Sequence, residues 1–262
     1  RMAELAAEAG VPAGVFNVVP GLGETAGQAI GRHGDVDLVA FTGSTEVGRC
    51  FLKYAAESNL KRVILECGGK SPQGVFADAP DLEAVANHAV GAAFWNMGET
   101  CSCGSRLIVH KKIKDELLRR VVKLAKTWPV GDPLDPRNRL GAMIEKPHLE
   151  KVLGYIAAGR SEGAKLILGG RRLLEQTGGY YMEATIFDEV SPHMKIAREE
   201  IFGPVLSVMA FSTEAEAIAL ANATNYGLAA SLYTQDLNRA HRVSRAIDRK
   251  STRLNSSHGK LS

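Results

Sequence analysis

Short runs rich in Val, Ile, Leu and Phe alternate along this chain with longer stretches in which apolar residues recur every three or four positions. That alternation leaves few folds open. Strands separated by helix-length crossovers pair in parallel, and a parallel sheet has to be covered by helices on both faces. The expected fold class is therefore α/β. Residues 14–19 read as a strand, 24–32 as a helix, 37–43 as a strand, 45–58 as a helix and 62–67 as a strand. A second series follows the pair Gly68-Gly69. Helix 81–96 carries Leu82, Val85, Ala86, Ala89, Val90 and Ala93 at helical spacing. Strand 106–110, helices 112–127 and 146–162, and strands 165–168, 182–189 and 204–211 come next. Helix 214–223, strand 229–234 and helix 236–247 close the series. No repeat or low-complexity linker intervenes, so a domain boundary is expected near residues 67 to 70.

A chain of 262 residues accommodates one large or two ordinary domains, and 45% apolar with 6% aromatic residues suits an α/β protein. No apolar run approaches the roughly 18 to 20 residues that span a bilayer, and no signal-like segment opens the chain. The expectation is a cytoplasmic protein without a membrane partner. The formal charge of +3 resides in the last fifteen residues, where Arg249, Lys250, Arg253 and Lys260 outnumber Asp248. The remainder is formally neutral, which removes the electrostatic basis for nucleic-acid binding. The four cysteines, Cys50, Cys67, Cys101 and Cys103, read as thiols. Cys101-x-Cys103 has no second Cys or His pair at zinc spacing, so no metal site is expected.

The run Asp248-Arg249-Lys250-Ser251-Thr252-Arg253-Leu254-Asn255-Ser256-Ser257-His258 has no apolar periodicity and reads as a disordered terminus. It also resembles one reading frame of a short-read sequencing adaptor, so residues 248–262 are expected to be non-native. At the other end, residues 2–9 are already helical, stopped by Gly10 with Pro12 beyond. Both ends read as cuts through a larger gene.

Several motifs bear on chemistry. Phe41-Thr42-Gly43-Ser44-Thr45-Glu46-Val47-Gly48 places a glycine and hydroxyls between a strand and a helix, where free N–H groups and the helix dipole suit a phosphate; an ordinary helix cap has the same look. Gly69-Lys70-Ser71 ends like a P-loop, but Ile64 stands where that pattern needs glycine, and Pro72 interrupts the helix it requires. Glu66, at a strand end, is placed as a general base would be, or as a surface charge. Cys101 lies in a loop of small residues that would admit a substrate to the sulfur; the same loop would suit an inert buried thiol.

Together, Phe41 to Gly48, Leu65-Glu66-Cys67-Gly68-Gly69-Lys70-Ser71-Pro72, Asn96-Met97-Gly98-Glu99-Thr100-Cys101 and Glu199-Glu200-Ile201-Phe202-Gly203-Pro204-Val205 resemble the aldehyde dehydrogenase superfamily in order and spacing. The resemblance implies the C-terminal part of a Rossmann-type dinucleotide-binding domain over residues 1–67. An incomplete α/β catalytic domain over 68–247 follows, and the chain is truncated at both ends. It implies Cys101 as nucleophile and Glu66 as the base for the deacylating water. Gly43 and Ser44 would form the phosphate-facing turn, Glu200 would hold the nicotinamide ribose, and Phe202 would pack near the nicotinamide. Cys67, where the family usually has Leu, joins the cofactor-facing set.

The cofactor implied is NAD or NADP, the substrate a small-molecule aldehyde, and the full-length protein a homodimer or homotetramer. Glu99 in place of the usual Gln, Cys67 and the run Asn96-Met97-Gly98 resemble the branch that oxidises ω-aminoaldehydes such as 4-(γ-glutamylamino)butanal or 4-guanidinobutanal, a polyamine-catabolic chemistry. Cys103 is a less usual neighbour, and an oxidative Cys101–Cys103 disulfide would silence the enzyme. The first strands of the cofactor domain and the Asn of the oxyanion hole are expected to be missing, so the chain alone should not turn over. Two alternatives stand beside this reading. A CoA-acylating semialdehyde dehydrogenase would have no need of Glu66, and a non-catalytic relative would have no chemical reason to hold both Cys101 and Glu66.

Overall fold

In the computed structural model, which describes residues 1–247, the chain divides into a unit spanning Arg1–Cys67 and a second that starts at Gly68. The tail expected to be adaptor-derived, residues 248–262, lies outside the described residues.

The first unit begins with α1 (Met2–Glu8) and passes through a π-helical turn, Gly23–Gly27, into α2 (Gln28–Arg32). β1 (Leu38–Thr42), α3 (Thr45–Ala56) and β2 (Arg62–Glu66) then form a β-α-β crossover. Its strands run parallel, with Leu38 opposite Arg62 and Thr42 opposite Glu66. Ser44 starts α3 by accepting the Val47 N–H on its hydroxyl at 3.2 Å, and Gly48, Phe51 and Ala55 supply the buried stripe. Residues 14–19 do not form the expected strand. Val15, Phe16, Val18 and Val19 are exposed, and the Asn17 amide donates to the Gly14 carbonyl at 2.8 Å, bending the segment into a turn. A β-prone run becomes a strand only where a neighbouring ladder takes up its N–H and C=O groups. Among the described residues of this unit, β1 and β2 pair only with each other.

The second unit contains β3 (Pro72–Val75), α4 (Leu82–Phe94), β4 (Arg106–His110), α5 (Lys111–Ala125), α6 (Lys146–Ser161) and β5 (Lys165–Leu168). β6 (Arg172–Leu173) and β7 (Tyr181–Met182) pair with each other as a short antiparallel ladder. β8 (Thr185–Asp188), α7 (Lys195–Arg198), β9 (Val205–Phe211), α8 (Glu214–Asn222), β10 (Ser231–Tyr233) and α9 (Leu237–Ala246) complete it. Its six-stranded sheet has the order β10-β3-β4-β9-β8-β5, parallel throughout except for the β5–β8 edge pair. β3 is a strand the pattern did not announce, because Pro72 and Gly74 are poor strand formers. Pro72 is tolerated as the first residue, and Gln73 is fixed by donating its amide to the Gly104 carbonyl at 2.6 Å. The single strand expected over 182–189 is broken. β7 ends at Met182, Glu183 turns out to pair with Arg171, and β8 starts at Thr185.

Strand alternation divides the core between the two faces of this sheet. Leu107, Val109, Leu206 and Val208 point to the side covered by α4 and α5, where they meet Ala86, Val90, Phe94, Leu117 and Val121. Ile108, Val205, Met209 and Phe211 point to the other, against Val152 and Ile156 of α6, Ile196 of α7, Ala217 and Ala221 of α8 and Val243 of α9. β3, β4 and β9 are adjacent, parallel and in register, Pro72 beside Arg106 and Arg106 beside Ser207. Their amino ends therefore share one edge of the sheet, and the segments leading into them meet there.

Candidate active site

The Cys101 loop is shaped by an abrupt end to α4. Trp95 leaves the helix at ψ 140°, and Asn96, Met97 and Gly98 follow with φ of 52°, 57° and 70°. Left-handed backbone costs a residue with a side chain about 1–2 kcal/mol, so Asn96 and Met97 stay there only because neighbours hold them. The Asn96 amide donates to the Glu99 carbonyl at 3.0 Å, and Met97 Sδ accepts the Gly141 N–H at 3.3 Å. Gly98 packs so closely on the Gly203 carbonyl that no Cβ would fit. The Cys103 N–H then donates to the Thr100 carbonyl at 3.0 Å, closing a turn with Cys101 at its first central position. Cys101 is partly exposed there.

Gly69 joins this turn to Glu200. Its N–H donates to Glu200 Oε1 at 2.9 Å, while a side chain on its α-carbon would collide with the Cys101 carbonyl oxygen. A Cβ on Gly68 would collide with the Glu200 carboxylate. Close backbone approach is what the glycine pair supplies. Burial raises the Glu200 carboxyl above the usual range, opposed by the Gly69 N–H and by the charges of Lys151 and Lys70. Phe202, two residues on, is itself left-handed at φ 58°, and its ring meets that of His148 edge-on at 5.8 Å.

The loop's second thiol behaves differently. Cys103 is, like Cys101, only partly exposed, but its Sγ lies 3.4 Å from the Ala93 carbonyl, and desolvation pushes its pKa up to about 12, despite the nearby charge of Lys70. Lys70 is buried, and no hydrogen-bond partner meets its Nζ among the described residues. Desolvation first, and the Arg106 guanidinium second, lower its pKa to about 7. Arg106 is also buried and donates to the carbonyls of Lys70 at 2.7 Å, Leu220 at 2.9 Å and Ala221 at 2.8 Å, tying β3 and the carboxyl end of α8 to β4.

The remaining expected site residues belong to the first unit. Gly43 donates its N–H to the Glu66 carbonyl at 3.0 Å, and Ser44 caps α3. Glu66 closes β2 with a half-buried side chain, and Cys67 Sγ lies where a Cβ on Gly48 would collide. All four thus gather at the carboxyl end of β1 and β2. Cys101, Glu200 and Phe202, in contrast, stand at the amino edge of the second unit's sheet. Sequence reasoning passed over Glu99, His148, Lys70 and Arg106 as parts of the surroundings of Cys101. Lys70 and Arg106 carried a weak signal, each a charge flanking a strand of small or apolar residues. Glu99 stood out only as a replacement of the usual Gln, and His148 carried no signal, because the contacts that join them are remote in sequence. Among the described residues no cluster of His, Cys, Asp and Glu gathers as a metal ion would need, and no helix is long and apolar enough to cross a membrane.

Comparison with known proteins extends this picture. The model of the aldehyde dehydrogenase family matches residues 1–260. An aminoacetaldehyde dehydrogenase of Pseudomonas aeruginosa is 58% identical over 247 residues, covering 94% of this chain and 49% of that protein. A crystal structure of an indole-3-acetaldehyde dehydrogenase complexed with NAD+ superposes with a TM-score of 0.95 at 52% identity, over 99% of this chain and 52% of that one. A γ-glutamyl-γ-aminobutyraldehyde dehydrogenase from Burkholderia cenocepacia gives 0.91 at 54% identity, over 94% of this chain and 50% of that one. The chain spans about half the length of the curated relatives it matches.

Proposed function

The chain belongs to the aldehyde dehydrogenase family, and from that premise we propose that it carries the thiol part of an NAD(P)-dependent dehydrogenase that converts an ω-amino or γ-glutamylamino aldehyde to its carboxylic acid. In this reading residues 1–67 belong to the dinucleotide-binding domain and 68–247 to the catalytic domain. The observation that carries it is the double engagement of Gly69, which sets the Cys101 turn and the Glu200 carboxylate against one glycine. A nucleophile and a ribose-binding carboxylate have to be held in fixed relation if an aldehyde carbon is to face a nicotinamide.

The residues present fit a dinucleotide. Glu200 is kept by Gly69 with its carboxylate half-buried and Lys151 in electrostatic reach. α3 offers a capped helix start at Ser44, directly after Gly43, for a phosphate. When bound, the dinucleotide supplies the hydride acceptor. Glu200 would hold the nicotinamide ribose, Phe202 would pack near the nicotinamide, and Cys67 would belong to the cofactor-facing residues of the first unit.

Cys101 would add its thiolate sulfur to the aldehyde carbon, forming a C–S bond and moving the carbonyl π electrons onto oxygen. The Cys101 N–H would supply part of the oxyanion hole. Collapse of the oxyanion re-forms the C=O bond and expels the former aldehyde hydrogen with its electron pair, leaving a thioester on Cys101. Glu66 would accept a proton from water, whose oxygen attacks the thioester carbon and expels the Cys101 thiolate with the carboxylic acid as product. The desolvated thiol of Cys103, with its high pKa, is unsuited to the nucleophile's role.

The substrate class rests on the resemblance of two relatives that act, by name, on aminoacetaldehyde and on γ-glutamyl-γ-aminobutyraldehyde. The test is NADH formation by the full gene product with aminoacetaldehyde, γ-glutamylaminobutanal, betaine aldehyde and acetaldehyde. Higher kcat/KM for the first two supports the class, and preference for acetaldehyde overturns it. A requirement for coenzyme A would replace water by a thiol as acyl acceptor and overturn the role of Glu66. Glu66→Gln should give a burst of NADH and an acylated Cys101 that persists.

A further inference from the structure

Glu99 precedes the nucleophile by two residues, yet its carboxylate faces away from solvent, with its side chain 9% exposed. Oε1 accepts the Ile144 N–H at 3.1 Å and lies 3.4 Å from His148 Nε2. The same Nε2 is 2.5 Å from the Phe202 carbonyl oxygen. A carbonyl oxygen can only accept, so Nε2 carries the hydrogen, and one N–H faces both the Cys101 loop and the Glu200–Phe202 segment. Ile144 and His148 flank the start of α6, and Gly141, just upstream, donates to Met97 Sδ at 3.3 Å. One short stretch, residues 141–148, thus grips Met97 and Glu99, ahead of Cys101, at three points.

We infer that Glu99 and His148 are a positioning pair, which sets the Cys101 turn relative to the Phe202 segment through the shared His148 N–H. The inference rests on the proposed chemistry, in which those two segments carry the nucleophile and the nicotinamide contact. The Glu99 carboxylate, engaged by the Ile144 N–H and facing His148 Nε2, is not presented to a substrate. Without the pair, Asn96 and Met97 lose part of what offsets their left-handed backbone, and the turn relaxes. Their polar contacts hold the Cys101 loop and the Phe202 segment rather than a substrate, so their loss should be felt in the rate of reaction of bound aldehyde more than in its binding.

The test uses the full gene product and four variants, Glu99→Ala, Glu99→Gln, His148→Ala and the double alanine variant. Two quantities are read. One is kcat and aldehyde KM per active site, with active sites counted by thiol titration. The other is the rate of iodoacetamide alkylation of Cys101, resolved from Cys103 by peptide mass spectrometry. Both single alanine variants should lower kcat on the order of 10- to 100-fold with KM within about threefold. The double variant should fall no more than about threefold below the lower single one, as expected for two residues acting through one contact. Glu99→Gln keeps an oxygen for both N–H groups and should restore kcat to within about threefold of the parent. The Cys101 alkylation rate should shift about tenfold in the alanine variants and little in Glu99→Gln.

Parental kcat in either alanine variant, multiplicative losses in the double, or failure of Gln to restore the rate would each overturn the pairing. If Glu99→Ala does not fold, His148→Ala against Glu99→Gln carries the same comparison. A parent protein that oxidises no aldehyde would refute the proposed function, while the alkylation rates would still decide the positioning role.

Discussion

The Gly69 N–H donates to Glu200 Oε1 at 2.9 Å, and the α-carbon of the same glycine leaves no room for a side chain beside the Cys101 carbonyl. Replacing this residue tests the arrangement directly. Gly69→Ala must push the Cys101 turn aside, since its Cβ meets backbone, and kcat should fall on the order of 100-fold. Gly68→Ala meets only the end of the Glu200 side chain and should act mainly by raising the dinucleotide KM. Initial rates over both substrates separate the two, and parental kcat in Gly69→Ala would refute the account.

The two thiols of the loop should differ sharply in reactivity. Both are partly exposed, but desolvation of the Cys103 thiol, whose Sγ lies 3.4 Å from the Ala93 carbonyl, pushes its pKa up to about 12. Iodoacetamide at pH 8 should label Cys101 at least about tenfold faster than Cys103, since the thiolate is the nucleophile. Cys101→Ala should abolish turnover. Cys103→Ala should retain it, at a stability cost of about 1 kcal/mol for the small cavity. Peptide mapping and chemical denaturation measure the two effects.

Lys70 should make stability depend on pH. Its folded pKa of about 7 lies below the ordinary lysine value of 10.5. Between those values the unfolded chain binds the proton and the folded chain does not, so stability rises with pH. The slope from this one group approaches about 1.4 kcal/mol per pH unit, and below pH 7 its full burial penalty remains. Lys70→Met, with similar length and no charge, should be more stable than the parent at pH 7, and the gap should narrow by pH 9. Urea unfolding at the two pH values checks the sign; a gap that widened would show that the ammonium is compensated when charged.

Arg106 anchors the same edge from beneath. Arg106→Leu removes the donors to Lys70, Leu220 and Ala221 and leaves three buried carbonyls without them. The expected loss is about 3 kcal/mol, about 1 for each carbonyl that loses its donor, visible as a lower urea midpoint at unchanged slope. A loss below about 1 kcal/mol would mean that the carbonyls find other partners.

The β-α-β crossover of β1, α3 and β2 and the alternation of β4 and β9 were legible because their information is local. Period-2 and period-3.6 patterns report which side chains face a core, whatever that core is. Residues 14–19 misled for the complementary reason, since their β-branched composition is equally local but a strand also needs a neighbour. β3 was hidden by Pro72 and Gly74, and it exists because β4 and β10 take up its backbone on either side. Cys101 and Glu200 were marked by motifs without any sign of what connects them.

The sequence by itself determined the α/β class, the succession of most elements and the family resemblance, because short-range periodicity and contiguous motifs encode all three. Tertiary structure decided which residues stand together: Gly69 against Cys101 and Glu200, and Glu99 against His148. It also placed the Cys103 thiol against the Ala93 carbonyl, in surroundings that desolvate it and raise its pKa. Those distinctions arise from burial and from contacts between residues up to 131 positions apart. Desolvation and close packing act on such pairs only once the sheet has brought the amino ends of β3, β4 and β9 to one edge.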